Sequence, residues 1–443
     1  MGLGLRRLVT PLAFMAPALL GSCKCSHRAA QSARTQVSGD RDASSAHAGA
    51  GLTSDAAVFS APLGAVRIGD LDVVAGLVAA EGTIRLIGFR DGRQVWSADV
   101  LRGVAWAPDA ELRLQGAPAG LTVLWHGLRD GKSNRTLVLV GPRGEQRGPP
   151  IEIGSSFCAT ADGPAWVGPH TTGPTRVRAR RWSDSDSREV LTVPADRDAS
   201  LVCGDHSVIV LEEGEDDLGT TAFVPGEAAA QPPIPVLRDG DFRDDEREHD
   251  AYSIGDDLGL VRVAASGSVS LREVPHGRPP TSWRTLEHIL SADDDVVTVD
   301  GDLGEILIVV THESEDTCEG SRSVSESVRV IRVDRKSGRE ALVEVAAPDC
   351  DRLRGPYWIG QASGGTVVAW VERHAAPPKS AAISGIAFRV LAAADIQVGR
   401  IDEQADAWVN GGCDDHRCSA VALLREPGSD GMRPAPIRVF GYP

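Results

Sequence analysis

The sequence predicts an all-β propeller, and three observations carry that prediction. Residues 73–100 read as three short strands, VVAGLVAA, TIRLIGF and RQVWSADV, joined by turns at Glu81-Gly82 and at Arg90-Asp91-Gly92. Apolar runs of this length bounded by Gly and Asp are the pattern of an antiparallel meander. The unit then recurs along the chain at blade-sized intervals, as four-stranded sheets arranged radially would require. Finally, the 443 residues include 48 Gly and 27 Pro, with Val- and Ile-rich runs and no long stretch of helical period, which favours strands throughout.

From the start of the chain, Arg6 and Arg7 precede an apolar run, 8–20, that ends in Leu20-Gly21-Ser22-Cys23. The run is too short, and too interrupted by Pro11 and Pro17, to span a bilayer as a permanent helix. It is similar to a bacterial lipoprotein signal, residues 1–22, in which small residues admit the peptidase and the Cys23 thiol accepts the lipid. The acyl groups on Cys23 would then be the only membrane anchor. Lys24 follows where Asp would signal inner-membrane retention, so an outer-membrane location in the cell envelope is expected. Residues 23–55 are rich in Ala, Ser, Gly, Asp and Arg with almost nothing large and apolar. Such a segment cannot offset its ordering entropy by burial and is expected to serve as a flexible tether.

The remainder, 56–443, is expected to form one propeller domain. Its most apolar strands fall at 73–80, 121–126, 165–167, 208–211, 260–264, 306–310, 366–371 and 420–424, each with a partner strand soon after. Most pairs are followed by a poorer third strand, such as 94–98, 151–153, 190–193 and 341–345. Eight pairs predict eight blades, with seven as the alternative if one pair is not a blade. The last pair ends beside the C-terminus, so the segment around Ala56 to Ser60 is expected to supply its outer strand and close the ring.

The turn Asp91-Gly92-Arg93-Gln94-Val95-Trp96 resembles the repeat of quinoprotein-type propellers and of the outer-membrane assembly lipoprotein that shares their fold. Asp334-Arg335-Lys336-Ser337-Gly338 echoes it, with Leu342-Val343 in place of the Trp. The resemblance implies an eight-bladed fold and a role in binding other envelope proteins. On physical grounds, Gly supplies positive φ at the turn, and Trp fills the wedge between neighbouring sheets.

Export agrees with the cysteines. Beyond Cys23 and Cys25, six remain: Cys158, Cys203, Cys318, Cys350, Cys413 and Cys418. An oxidising compartment permits disulfides among them. Cys158 and Cys203 lie at matching positions just before the apolar strands of successive blades, where they could bridge neighbouring inner strands. Cys318 and Cys350 bracket the insertion of the sixth blade and its exit, and Cys413 and Cys418 would staple the hairpin CDDHRC. A zinc site there lacks a second pair of soft ligands. Asp300, Asp302 and Glu305 are weak calcium candidates, with oxygens at alternate positions but neither the third alternating oxygen nor the distal Glu of a full loop, so no cofactor is expected. The acidic stretches 212–217 and 239–250 are expected to be exposed loops.

No elbow of the G-x-S-x-G type, no zincin helix, no P-loop and no dinucleotide fingerprint occurs. The eleven His are scattered, and His126 beside Trp125 is expected to pack rather than to act as a base. The formal net charge of −16 opposes nucleic-acid binding. Two functions follow as expectations. One is a lipid-anchored scaffold, not an enzyme, that holds an envelope or surface protein, using loops such as 239–250 and the 313–328 insertion. The alternative is an envelope hydrolase or lyase acting on a glycan or peptide at the channel mouth.

Overall fold

The run LDVVAGLV becomes the strand Leu71–Val78, in which every residue is buried. Its two faces enter different packing layers. Val73, Ala75 and Leu77 join Trp125, Val123 and Leu121 of the following sheet, whereas Val74 and Val78 pack with Phe59, Ile87 and Phe89 on the other side. Burial on both faces explains why the strand reads as a continuous apolar run rather than an alternating one. Each fully buried Leu or Ile, such as Leu77, Ile84 and Leu86, contributes on the order of 2 kcal/mol.

A computed structural model describes residues 59–441 apart from 91–92, 108, 170–172, 215–216, 228–233, 238–245, 277, 302–303, 315–324, 350–351, 363–364, 375–382, 392–395, 402–409, 414–416 and 426–431. The described strands group into eight consecutive antiparallel units, with no helix among them. The first strands of these units are Ser60–Ile68, Glu111–Ala117, Phe157–Ala159, Asp198–Cys203, Glu246–Ile254, Asp294–Gly301, Arg352–Ala362 and Asn410–Cys413. Each lies beside the first strand of the next unit, and Asn410–Cys413 lies beside Ser60–Ile68, so the ring closes. Sheets arranged radially around a ring of inner strands make the molecule a β-propeller.

The eight apolar pairs of the sequence form the second and third strands of the units, for example Leu71–Val78 with Thr83–Arg90 and Gly120–Arg129 with Lys132–Val140. The poorer strands at 94–98 and 341–345 are fourth strands, Arg93–Arg102 and Glu340–Asp349. From Ser60 onward the N-terminal chain is the first strand of the first unit, and the residues before Phe59, where a closing outer strand is expected, lie outside the described set. The eighth unit shows three strands among the described residues.

The expected wedge is present. Trp96 on the fourth strand stands opposite Gly88 on the third. A methyl group at Gly88 would fall 2.3 Å from its indole, and the far edge of the ring abuts Gly144 of the second unit. Gly88→Ala is therefore expected to cost about 1–3 kcal/mol through overpacking. Chemical unfolding of the single variant and of a Trp96→Leu double variant checks this: the smaller side chain should recover most of the loss, and additive losses would disprove the contact.

Two acidic segments differ from expectation. Glu212 and Glu213 end the strand Val208–Glu213, and Glu212 is buried, accepting a hydrogen bond from Thr221 Oγ1 at 2.8 Å. Burial, helped by Asp198, holds the Glu213 carboxyl above its ordinary value. The Thr221 hydroxyl on the neighbouring strand gives this buried carboxylate a partner, and Glu212 pairs in the sheet with Ala199 and Gly219. Likewise Glu246 to Asp250 belong to the strand Glu246–Ile254, paired with Asp257–Ala264.

Candidate functional site

The meander places the turns between first and second strands, and between third and fourth, on one face of the ring. On that face the second and third units leave a groove of about 800 Å³ lined by Pro142, Arg147, Arg180, Trp182, Asp184 and Ser185, among others. Arg147 comes from the loop after Lys132–Val140, held by Arg147 N–H donating to the Leu139 carbonyl at 2.7 Å. Arg180 and Trp182 come from the loop after Thr175–Ala179. There Trp182 donates its backbone N–H to the Asp162 carbonyl and its indole Nε1–H to the Thr160 carbonyl at 3.0 Å.

The two guanidiniums meet in this groove. Arg147 lies 6.0 Å over the Trp182 ring and donates from Nη1 to the Trp182 carbonyl at 2.9 Å. Arg180 is 5% exposed. It donates from Nη2 to the Arg147 carbonyl at 2.8 Å and from Nη1 to the Ser185 carbonyl at 3.0 Å, and its Nε–H has no acceptor. Burial first, and the Arg147 charge second, lower its pKa, with Asp184 and Asp186 acting against them. Sequence reasoning missed this site, because an Arg inside TRVRARRW gives no sign of being enclosed.

The same face carries a clip across three units. His206 Nδ1 meets Asp162 Oδ2 at 2.7 Å, and Asp256 Oδ1 accepts the N–H groups of His206 and Ser207 at 2.7 and 2.8 Å. The Asp162 hydrogen bond raises the His206 pKa.

On the opposite face, Asp294 is enclosed by Ser291, His312 and Arg329. His312 Nδ1 meets Asp294 Oδ1 at 2.8 Å and Ser291 Oγ at 3.5 Å, and Arg329 Nη2 donates to the same carboxylate. Serine and aspartate share one ring nitrogen here, whereas a nucleophile relay needs one on each.

The sequence candidates fall as follows. Cys158 and Cys203 form a disulfide between the first strands of the third and fourth units, with Cα atoms 5.7 Å apart. Cys413 and Cys418 face each other in the hairpin register, while their side chains, and Cys23, Cys318 and Cys350, lie outside the described residues. Asp300 accepts the Gly301 N–H at 2.9 Å, and Glu305 takes Arg332 in a two-bond pair at 3.0 and 3.1 Å. Asp302 is outside the described residues, among which no cluster of three or more metal-ligating side chains occurs. His126 stands opposite Glu111 and Arg135 on Gly120–Arg129.

Between the fifth and sixth units, Glu340 accepts from the His288 ring at 3.0 Å and from the Glu287 N–H at 2.9 Å. Burial by itself would raise this carboxyl, but the His288 ring and the two backbone donors outweigh it and hold the pKa below the ordinary value. A carboxyl depressed in the fold stabilises fully above its unfolded pKa and loses that contribution as pH falls through the folded one. Glu340→Gln should therefore lower the urea midpoint at neutral pH, and the gap to the unsubstituted protein should shrink below the carboxyl range.

No protein-family model and no curated protein matches this chain. Similar solved structures include the β-propeller domain of the Trilobed protease from Pyrococcus furiosus, at 9% identity and TM-score 0.46, covering 76% of this chain and 96% of that one. The WD40 domain of SCAP from fission yeast is similar at 10% identity and TM-score 0.45, over 86% and 95%. Oligopeptidase B from Leishmania major is similar at 8% identity and TM-score 0.48; the match covers 83% of this chain and 54% of that one.

Proposed function

We propose that the eight units are eight blades of a protein-binding scaffold, anchored through lipid on Cys23 to the bacterial cell envelope at the outer membrane. Its partner is an envelope or surface protein, held on the propeller face. The groove between the second and third units is the observation that carries this reading: an enclosed guanidinium with an unused donor lines an open surface of loops on a rigid ring, which is where binding function concentrates. Cross-linking in the native envelope, pull-down of the lipidated protein and mass spectrometry test it. One stoichiometric partner recovered with the anchored form, and lost with Cys23→Ser, is the expected result; no enrichment over the control would sink the scaffold.

The second reading, an envelope hydrolase or lyase acting on a glycan or peptide, has one observation in its favour. Asp294 holds His312 through Nδ1, the arrangement that orients an imidazole for proton transfer. A glycan and peptide substrate screen with a His312→Ala control tests it, and turnover that survives the substitution would remove it.

A further inference from the structure

We propose that the groove between the second and third units is an oxyanion site and that it takes a carboxylate of an acidic peptide segment, a deepening that rests on the scaffold reading. Two enclosed guanidiniums elsewhere sit against carboxylates: Arg67 pairs with Asp72 at 2.8 Å, and Arg335 with Glu273 at 2.7 Å. Arg180 is as enclosed as these, yet only two carbonyl oxygens face its guanidinium, and its Nε–H is without an acceptor. Asp184 and Asp186 act on it through space, but no carboxylate oxygen among the described residues accepts a hydrogen bond from it, and a buried cation without a directly paired counter-ion is costly. The fold places a second cation, Arg147, beside it despite their repulsion, and opens both to the groove.

The neighbouring acids make no hydrogen bond to Arg180. Glu145 lies 3.5 Å from Arg147 Nη2, and Asp184 accepts from Ser183 Oγ at 3.1 Å. A carboxylate entering the groove would supply a directly paired counter-charge, and its two oxygens match the parallel donors of a guanidinium. The Trp182 indole gives the adjoining peptide an apolar wall. A chain carrying a formal charge of −16 repels extended polyanions, which favours an isolated carboxylate over a nucleic acid or an anionic bilayer.

Calorimetric titration of the full chain in detergent with a blocked Ala-Glu-Ala-Glu-Ala peptide, its Gln counterpart, and sodium sulfate tests the assignment. The Glu peptide should bind saturably and the Gln peptide at least roughly tenfold more weakly. Arg180→Gln and Arg147→Gln should each weaken the Glu peptide by a similar factor. If Arg180→Gln does not fold, as circular dichroism will show, Arg147→Gln alone carries the test. Equal binding of the two peptides, unchanged affinity in the folded variants, or saturable binding of sulfate without the peptide would overturn the proposal. A negative titration beside a positive envelope pull-down removes this site and leaves the scaffold standing; a positive titration with no envelope partner does the reverse.

Discussion

Replacing Cys158 and Cys203 together by Ala is expected to lower the unfolding free energy by about 4 kcal/mol. The bridge closes a loop with a sequence separation of 45 residues, and the chain-entropy relation for a loop of that size gives about this figure, with native strain able to reduce it. The location makes the loss consequential for the ring. Phe157–Ala159 is a first strand of only three residues, so little backbone pairing secures that arc, and the disulfide joins it directly to Asp198–Cys203. Urea unfolding under oxidising conditions should show the double variant with a clearly lower midpoint. Its slope should be steeper, because an uncrosslinked denatured chain exposes more surface. Adding dithiothreitol to both should bring the unsubstituted protein and the double variant onto one curve. Identical midpoints in oxidising buffer would show that the bridge contributes nothing.

Legibility of the sequence followed burial. The stretches 73–78, 208–211 and 306–310 lie inside the packed layers between units and read as unbroken apolar runs, so every second and third strand could be located. First strands such as Phe157–Ala159 and Asn410–Cys413 are short or rich in Gly, and what makes them strands is the ring around them rather than their own composition. Trp96 was legible as a wedge because it has one evident physical use, whereas its partner Gly88 on the third strand was not. Nor was the groove. Arg147 and Arg180 are 33 positions apart, nothing in either local sequence marks enclosure, and only the packing of one unit against the next brings their guanidiniums together. Glu212 misled for the converse reason: an acidic run predicts solvent, and the single Thr221 hydroxyl that permits burial lies on another strand.

Asp294→Ala is expected to cost about 3 kcal/mol. The carboxylate is 2% exposed and accepts from the Ser291 N–H at 2.7 Å, from His312 at 2.8 Å and from Arg329. It thereby ties the segment leading into the sixth unit to that unit's second and third strands. Removing it strands a half-buried guanidinium whose Nε–H already has no acceptor, and breaking one partner of an enclosed ion pair is costlier than the net worth of the pair. Asp294→Asn keeps an acceptor for the Ser291 N–H and should lose less. His312→Ala should lose least, since Arg329 still neutralises the carboxylate. This ordering, read from urea midpoints, separates two roles for the cluster. As a structural anchor, Asp294→Ala moves the midpoint far more than His312→Ala does, and no substrate turnover depends on either. As a proton-transfer pair, His312→Ala abolishes turnover while leaving the midpoint nearly in place. Because Ser291 and Asp294 converge on the same ring nitrogen, the geometry fits the anchor, and a loss confined to stability is the outcome to expect.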